Sequence, residues 1–204
     1  MSELPITPSP PESPPSPGIV VLGRFQPFHR GHESLLIAAE EWRRENADNH
    51  SLIIAIGSSN REESLQNPWS SDERSAMIEV WLSESGIQDA EIVSIPDIED
   101  PPNWVAHAEQ YHGMAGVLFT SDAPSAELYG EAGWQVMTTP LDNRESFEGW
   151  RVRETARMLS TIGDEEAVRA VLSQTVPSVV VEYMVRNDAL RRLAFLGEGG
   201  EPVG

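Results

Sequence analysis

Lysine is missing altogether: all 14 basic residues of this 204-residue chain are arginine. Without a lysine ammonium there is no Schiff base, no P-loop lysine and no lysine-rich phosphate loop. Any phosphate must be held by arginine, histidine, main-chain amides or a metal ion. Cysteine is absent too, which excludes disulfides, thiolate nucleophiles and cysteine-based zinc sites. No apolar run approaches the roughly 20 residues that a membrane-spanning helix needs. The N-terminus lacks the apolar core of a signal peptide. The expectation is a soluble, cytoplasmic protein. Positive charge is scarce, with 33 acidic residues and a formal net charge of −19. Such a surface disfavours nucleic-acid polymers and anionic membranes as partners. It suits a salty cytosol, and genome composition would account for it equally well.

What is present is organised around Gly18–His32, G-I-V-V-L-G-R-F-Q-P-F-H-R-G-H. The spacing predicts a short buried strand over Ile19–Leu22 that breaks at Gly23, then a tight basic turn and a helix that opens with His29 and His32. A strand-to-helix turn of this kind presents free N–H groups and the positive end of a helix dipole, both suited to phosphate. His29 and His32 share a helix face, and Arg24 adds a guanidinium that can grip two phosphate oxygens. A nucleotide site is expected here. A plain structural turn carrying two surface histidines is the alternative.

Along the chain, Met1–Pro17 is rich in proline and serine and reads as a disordered or polyproline-II tail. The domain proper is expected over residues 18–195, with a second loose tail at 196–204. A helix is predicted from about Gly31 to Asn46, with Leu35, Leu36, Ala39 and Trp42 on one face. Ser51–Ile56 is a second buried strand ended by Gly57. A loop over Asn60–Ser71 leads to a helix over Ser71–Ser85 with Met77, Ile78, Trp81 and Leu82 inward; Ser71 and Arg74 make no capping box. Strands over Glu91–Ile95, Gly116–Thr120 and Trp134–Thr138 alternate with helices over Asn103–Tyr111 and Pro124–Glu131. The C-terminal third reads as helices over Val152–Leu159, Glu165–Leu172 and Ser178–Phe195. Strands separated by helices give a Rossmann-like α/β fold, a parallel sheet of about five strands with a helical C-terminal segment. Its ligand is expected at the carboxyl ends of the first and fourth strands.

His29-Arg30-Gly31-His32 matches the H-x-G-H signature of the nucleotidylyltransferase superfamily, and the run Gly23-Arg24-Phe25-Gln26-Pro27-Phe28-His29 resembles the nicotinamide-nucleotide adenylyltransferases of archaeal type. H-x-G-H alone is shared with class I aminoacyl-tRNA synthetases, whose lysine loop this chain does not have. Asn67-Pro68-Trp69-Ser70-Ser71-Asp72-Glu73-Arg74 is similar to the family's N-P-F-T-x-x-E-R. Asn143-Arg144-Glu145-Ser146-Phe147-Glu148-Gly149-Trp150-Arg151-Val152-Arg153 is similar to its N-R-x-x-Y-S-G-T-x-V-R.

The resemblance implies adenylyl transfer from ATP to nicotinamide mononucleotide (NMN), giving NAD and pyrophosphate. It casts His29, His32, Arg24 and Arg153 as catalytic, and Gly23, Arg24, Phe25, His29, His32, Asp122, Gly149 and Arg153 as the ATP site. Asn67, Pro68, Trp69, Arg74, Asp97 and Trp104 would form the mononucleotide site, with Trp104 stacked on the nicotinamide ring and Asp97 and Glu99 near its carboxamide. Mg²⁺ would be carried mainly by the ATP phosphates. No protein-built metal site is expected, and His50, His107 and His112 read as solvated or locally bonded. A homo-oligomer is expected by analogy.

A helix-start arginine such as Arg74 opposes the dipole, so a partner acid or a ligand phosphate is expected for it. Three departures matter. Glu148 stands where the family has serine and Trp150 where it has threonine, and a carboxylate beside a polyphosphate repels it. Arg151 can serve as the salt partner of Glu148. Asp122 replaces an asparagine beside the adenine. The alternatives are a nucleotide-binding homologue with impaired turnover, or an adenylyltransferase acting on another phosphorylated acceptor. Nicotinamide and nicotinic acid forms of the acceptor are not distinguished.

Overall fold

The computed structural model describes residues 4–140 and 147–196. Five strands form one sheet: β1 (Ile19–Gly23), β2 (Leu52–Ile56), β3 (Ala90–Ser94), β4 (Val117–Thr120) and β5 (Gln135–Thr138). Their order is β3-β2-β1-β4-β5, and every pairing is parallel. Helices α1 (Arg30–Asn46), α2 (Ser71–Ser85), α3 (Trp104–His112) and α4 (Ala123–Glu131) make the connections; α5 (Gly149–Leu159), α6 (Glu165–Leu172) and α7 (Ser178–Arg186) follow. The chain moves outward from β1 to β3 and then returns to place β4 on the other side of β1. That reversal opens a crevice between the carboxyl ends of β1 and β4.

The central strands β1 and β2 are apolar runs because both sheet faces are covered there, while the edge strands β3 and β5 carry polar residues such as Glu91 and Gln135. Ile19, Val21, Leu52, Ile54 and Ile56 point to one side and pack with α1, α2 and the C-terminal helices. Val20, Ile53, Ala55 and Leu118 point to the other and pack with Val105, Ala108 and Tyr111 of α3 and Tyr129 of α4. Adjacent strand residues thus fall into separate cores, as a period of two requires.

Two local readings change. α2 does have a capping box, although none is expected at Ser71 and Arg74: it starts one residue earlier. Ser70 is the N-cap: its Oγ accepts from the Glu73 N–H at 3.2 Å, and the Glu73 carboxylate accepts from the Ser70 N–H at 2.9 Å. The single helix expected over Ser178–Phe195 breaks. α7 ends at Arg186, Asp188 takes a left-handed φ of 52°, and a 3-10 turn covers Arg191–Ala194. The Ala189 carbonyl, out of the helix, accepts the indole N–H of Trp69 at 2.9 Å.

Residues 4–17 form neither helix nor strand. The segment lies against the domain, with the Tyr111 hydroxyl donating to the Pro8 carbonyl and the Asn60 amide donating to that of Pro5, each at 2.9 Å. The tail expected at the C-terminus falls, from residue 197 onward, outside the described residues.

Where β4 begins, a Cβ added to Gly116 would sit 2.4 Å from the Gly18 carbonyl oxygen and 3.2 Å from Cζ3 of Trp134. The near atom is main chain and has nowhere to go. Gly116→Ala is expected to destabilise the fold by about 3 kcal/mol, the upper end of overpacking costs, measured as a lower urea midpoint at unchanged m-value.

Candidate active site

The loops that leave β1 and β2 are stitched together from below. Arg74, only 1% exposed, donates to four main-chain carbonyls: Arg24 and Gly57 at 2.8 Å, Ser70 at 3.1 Å and Ser58 at 3.2 Å. The acid or ligand phosphate expected for Arg74 is thus replaced by carbonyls. A buried guanidinium satisfies its fork with neutral acceptors when the chain folds around it. Burial, with Arg24 nearby, lowers its pKa to about 10, so it stays charged at neutral pH. Gln26 adds a second tie: its amide donates to the Trp69 carbonyl at 2.7 Å and its Oε1 accepts from the Trp69 N–H at 3.2 Å.

Above this base sits the histidine pair. His29 caps α1 and His32 lies in its first turn, with ring centroids 3.7 Å apart and planes at 23°. The main-chain N–H of His29 donates to Nδ1 of His32 at 3.3 Å. Nδ1 of His32 is therefore an acceptor, and the proton of its neutral ring belongs on Nε2. Burial, and then His29, hold the His32 pKa well below the usual imidazole value. Burial, and then the Arg153 charge, lower that of His29 to about 4. Nδ1 of His29 is buried and has no hydrogen-bond partner among the described residues, a state native interiors rarely tolerate. The glycine between the histidines is there for approach. A Cβ on Gly31 would lie 3.0 Å from Cε1 of His29 and 3.1 Å from Cβ of Phe147, pushing α1 off the start of α5.

A cavity of about 560 Å³ opens at the β1–β4 crevice, lined by the ends of both strands and the start of α5. Of the residues singled out from sequence, Gly23, Arg24, His29, His32, Asp97, Trp104, Asp122 and Gly149 line it. Six others stand behind the wall. Phe25 is fully buried and packs on His32 at 4.6 Å. Pro68 and Trp69 are buried and Arg74 lies underneath. Asn67 accepts from Arg24 through Oδ1 at 3.1 Å. Arg153 donates to the Gln26 carbonyl at 2.8 Å. Asn143–Ser146 of the last motif lie outside the described residues.

The sequence reading missed Ser58, Thr120 and Ser125 in the lining and the tie made by Gln26. Their position at the carboxyl end of a strand or in the segment that follows it was the available signal. Asp122 caps α4, accepting from the N–H of Ser125 at 3.0 Å and from its hydroxyl at 2.8 Å. Asp97 is bridged by Arg61 at 2.7 Å, which also holds Glu99 at 2.9 Å. Glu148 pairs with Arg151 at 3.1 Å, as the sequence reading proposed. The described residues contain no cluster of three or more His, Asp or Glu able to hold a metal ion. The cavity therefore offers neutral imidazoles, the Arg24 guanidinium, whose Nη2 also donates to Gln66 and Asn67, and two helix N-termini, the chemistry of an anion site.

Arg74→Met removes a charge that four carbonyls solvate, and is expected to cost about 3 kcal/mol of stability, read from denaturant melts. For His29, the folded protein holds the neutral ring while the unfolded chain protonates near pH 6.5. Its contribution is intact above that value and is lost as the pH falls toward 4, on the order of 3 kcal/mol in all. NMR should show an imidazole titrating near pH 4, and Arg153→Gln should move that midpoint upward.

Residues 20–177 match the cytidylyltransferase-like family. The nicotinamide-nucleotide adenylyltransferase of Picrophilus torridus is 31% identical over 181 residues, which is 89% of this chain and 98% of that protein. The enzyme of the same name from Ignicoccus hospitalis is 32% identical over 178 residues, 86% of this chain and 95% of that one. A solved structure of a bifunctional NMN adenylyltransferase/ADP ribose pyrophosphatase from Francisella tularensis shares the fold, with a TM-score of 0.61 at 20% identity. It overlaps 88% of this chain, which spans about half, 53%, of that longer protein. A Rossmann-like sheet carrying H-x-G-H at its switch point and near full-length similarity to these enzymes lead to one assignment: the chain belongs to the cytidylyltransferase-like nucleotidyltransferases, in the branch of the archaeal nicotinamide-nucleotide adenylyltransferases.

Proposed function

We propose that this protein transfers the adenylyl group of ATP to nicotinamide mononucleotide, forming NAD and pyrophosphate. The observation that carries the reading is the stacked, neutral pair His29 and His32 at the switch-point cavity, in a chain whose near full-length relatives bear that activity in their names.

The reaction asks little of a base. A phosphate monoester oxygen of NMN, with a second pKa near 6, attacks the α-phosphorus. A new P–O bond forms there as the bond to the bridging α–β oxygen breaks, and pyrophosphate leaves with that bond's electron pair. Catalysis is then in-line placement and charge stabilisation. In this reading His32 donates from Nε2 to the α-phosphate or bridging oxygen, and His29 joins it. Arg24 takes outer phosphate oxygens, and Arg153 supports them through its field at His29. Gly149 opens the N-terminus of α5 to phosphate, and Asp122 borders the adenine. Trp104 offers its face to the pyridinium ring, beside Asp97. Asn67, Trp69 and Arg74 serve this site by fixing its loops.

The carboxylates at the cavity, Asp97, Asp122 and Glu148, are each engaged with Arg61, Ser125 and Arg151. That set fits a Mg²⁺ ion carried mainly by the ATP phosphates. When bound, the ion supplies charge neutralisation on the departing pyrophosphate. We place the enzyme in the cytoplasm; no helix among the described residues is long and apolar enough to cross a membrane.

Glu148 at the cavity wall favours one second reading, a nucleotide-binding protein without turnover. Incubation with ATP, Mg²⁺ and NMN, at low and high salt, should yield NAD and pyrophosphate in equal amounts. His32→Ala should lower kcat by about 10²–10³, the usual loss for one transition-state donor. Trp104→Ala should raise the KM for NMN about tenfold with that for ATP unchanged. ATP binding with no dinucleotide formed would favour the second reading. Turnover with an acceptor other than a pyridine mononucleotide would replace the substrate assignment.

A further inference from the structure

Glu148 and Trp150 occupy the place where a phosphate-binding helix usually presents small hydroxyls, and neither can bond a phosphate oxygen as a hydroxyl does. Their geometry suggests a different task. Glu148 is the N-cap of α5, yet its side chain makes no capping bond to the helix. Its Oε2 accepts two other donors instead, the indole N–H of Trp150 at 2.8 Å and Nε of Arg151 at 3.1 Å. The Arg151 guanidinium in turn lies over the Trp150 ring, 4.7 Å from its centroid. Three of the first four positions of one helix start, the N-cap and the second and third helical residues, thus close on one another.

Within that arrangement Arg151 is restrained on two sides. Its Nε edge is held by a carboxylate and its face by an indole. Nη1 and Nη2 have no hydrogen-bond partner among the described residues. Both anchors, Glu148 and Trp150, line the catalytic cavity together with Gly149 and His29. Arg151 itself is not in the lining and its side chain is half-exposed. A guanidinium held by two lining residues, with its remaining two-donor edge unengaged among the described residues, is pre-oriented for bidentate capture of phosphate oxygens at the cavity mouth.

We propose that Arg151 is a polyphosphate clamp, and that Glu148 and Trp150 are its positioning residues. The inference rests on the adenylyl-transfer reading and adds the residue that would recognise the β- and γ-phosphates of ATP. The carboxylate at the cavity is, on this account, the fastening of a cation. Its charge is spent on Arg151, which leaves the helix N–H groups and His29 for the α-phosphate. Inorganic tripolyphosphate and ATP share the recognised group, and AMP does not.

Titration calorimetry on the full-length protein separates the outcomes. The probes are ATP with Mg²⁺, AMP and inorganic tripolyphosphate. Arg151→Ala should raise the Kd for ATP and for tripolyphosphate about tenfold, the scale of one charge-assisted bidentate contact, and leave that for AMP within about twofold. Unchanged AMP binding also certifies the fold of the variant. Glu148→Ala should weaken ATP severalfold while Arg151 is present, and should not weaken it in the Arg151→Ala background. Trp150→Phe, which keeps the ring and removes the donor, should fall between wild type and Arg151→Ala. Equal ATP affinity in wild type and Arg151→Ala, or equal losses for AMP and ATP, would overturn the clamp. So would tighter ATP binding on removing Glu148 from the wild type, which would mark it as purely repulsive. A wild-type protein that binds neither ATP nor AMP would remove the underlying reading as well.

Discussion

A single buried cation underlies the site. Arg74 projects from the first turn of α2 into the junction of two strand exits, where it satisfies carbonyls of Arg24, Gly57, Ser58 and Ser70 at once. The Arg24 and Gly57 carbonyls sit in irregular backbone beyond the strand ends and need a donor from elsewhere, whereas those of Ser70 and Ser58 also accept the main-chain N–H groups of Arg74 and Arg61. One fork supplies it. Because the loop bearing Arg24 and the loop bearing Ser58 are tied to the same group, the cavity walls they form hold a fixed spacing. An enzyme that works by placement rather than by strong acid–base chemistry depends on that spacing. The arrangement also exacts a cost, since the guanidinium is taken out of water with carbonyls rather than a carboxylate bonded to it among the described residues.

The histidines are governed by the same economy of charge. In a molecule of net charge −19, Arg24 lines the cavity that holds the two imidazoles while Arg74 and Arg153 stand behind its wall. Desolvation, with Arg153 acting on His29 and His29 on His32, keeps the rings neutral. Neutral imidazole donates a hydrogen bond without demanding a counter-charge, and it holds one tautomer when its other nitrogen is occupied. The main-chain N–H of His29 occupies Nδ1 of His32 in that way.

Much of the fold was legible because the strands are short apolar runs between glycine and proline, such as Ile19–Leu22 and Leu52–Ile56. Their parallel order followed from the helices between them, and the switch point then located the cavity. The depth of individual side chains was not legible. Phe25, Trp69 and Arg74 lie in motifs that read as pocket-lining, and they turn out to be the floor beneath it. Sequence spacing says which loop a residue belongs to and nothing of which side of the loop it faces. The helix break after Arg186 was hidden for a related reason. Asn187 and Asp188 are mild helix breakers, and the apolar spacing continues past them to Leu190 and Leu193. The pairing of Glu148 with Arg151 was legible because helix positions three apart meet; the indole that completes the set was not.

At Pro5 the N-terminal segment lies beside Asp97, one of the residues that line the cavity. Asn60 binds the Pro5 carbonyl and the Asp97 carbonyl with one amide group, and accepts from the Asp97 N–H through its oxygen. The Pro5 carbonyl is thereby tied to the rim next to Asp97. The chain has no cysteine of its own, and Ile6 is 56% exposed. One thiol installed at that position would take a dye at a unique place, within reach of the rim it would report on.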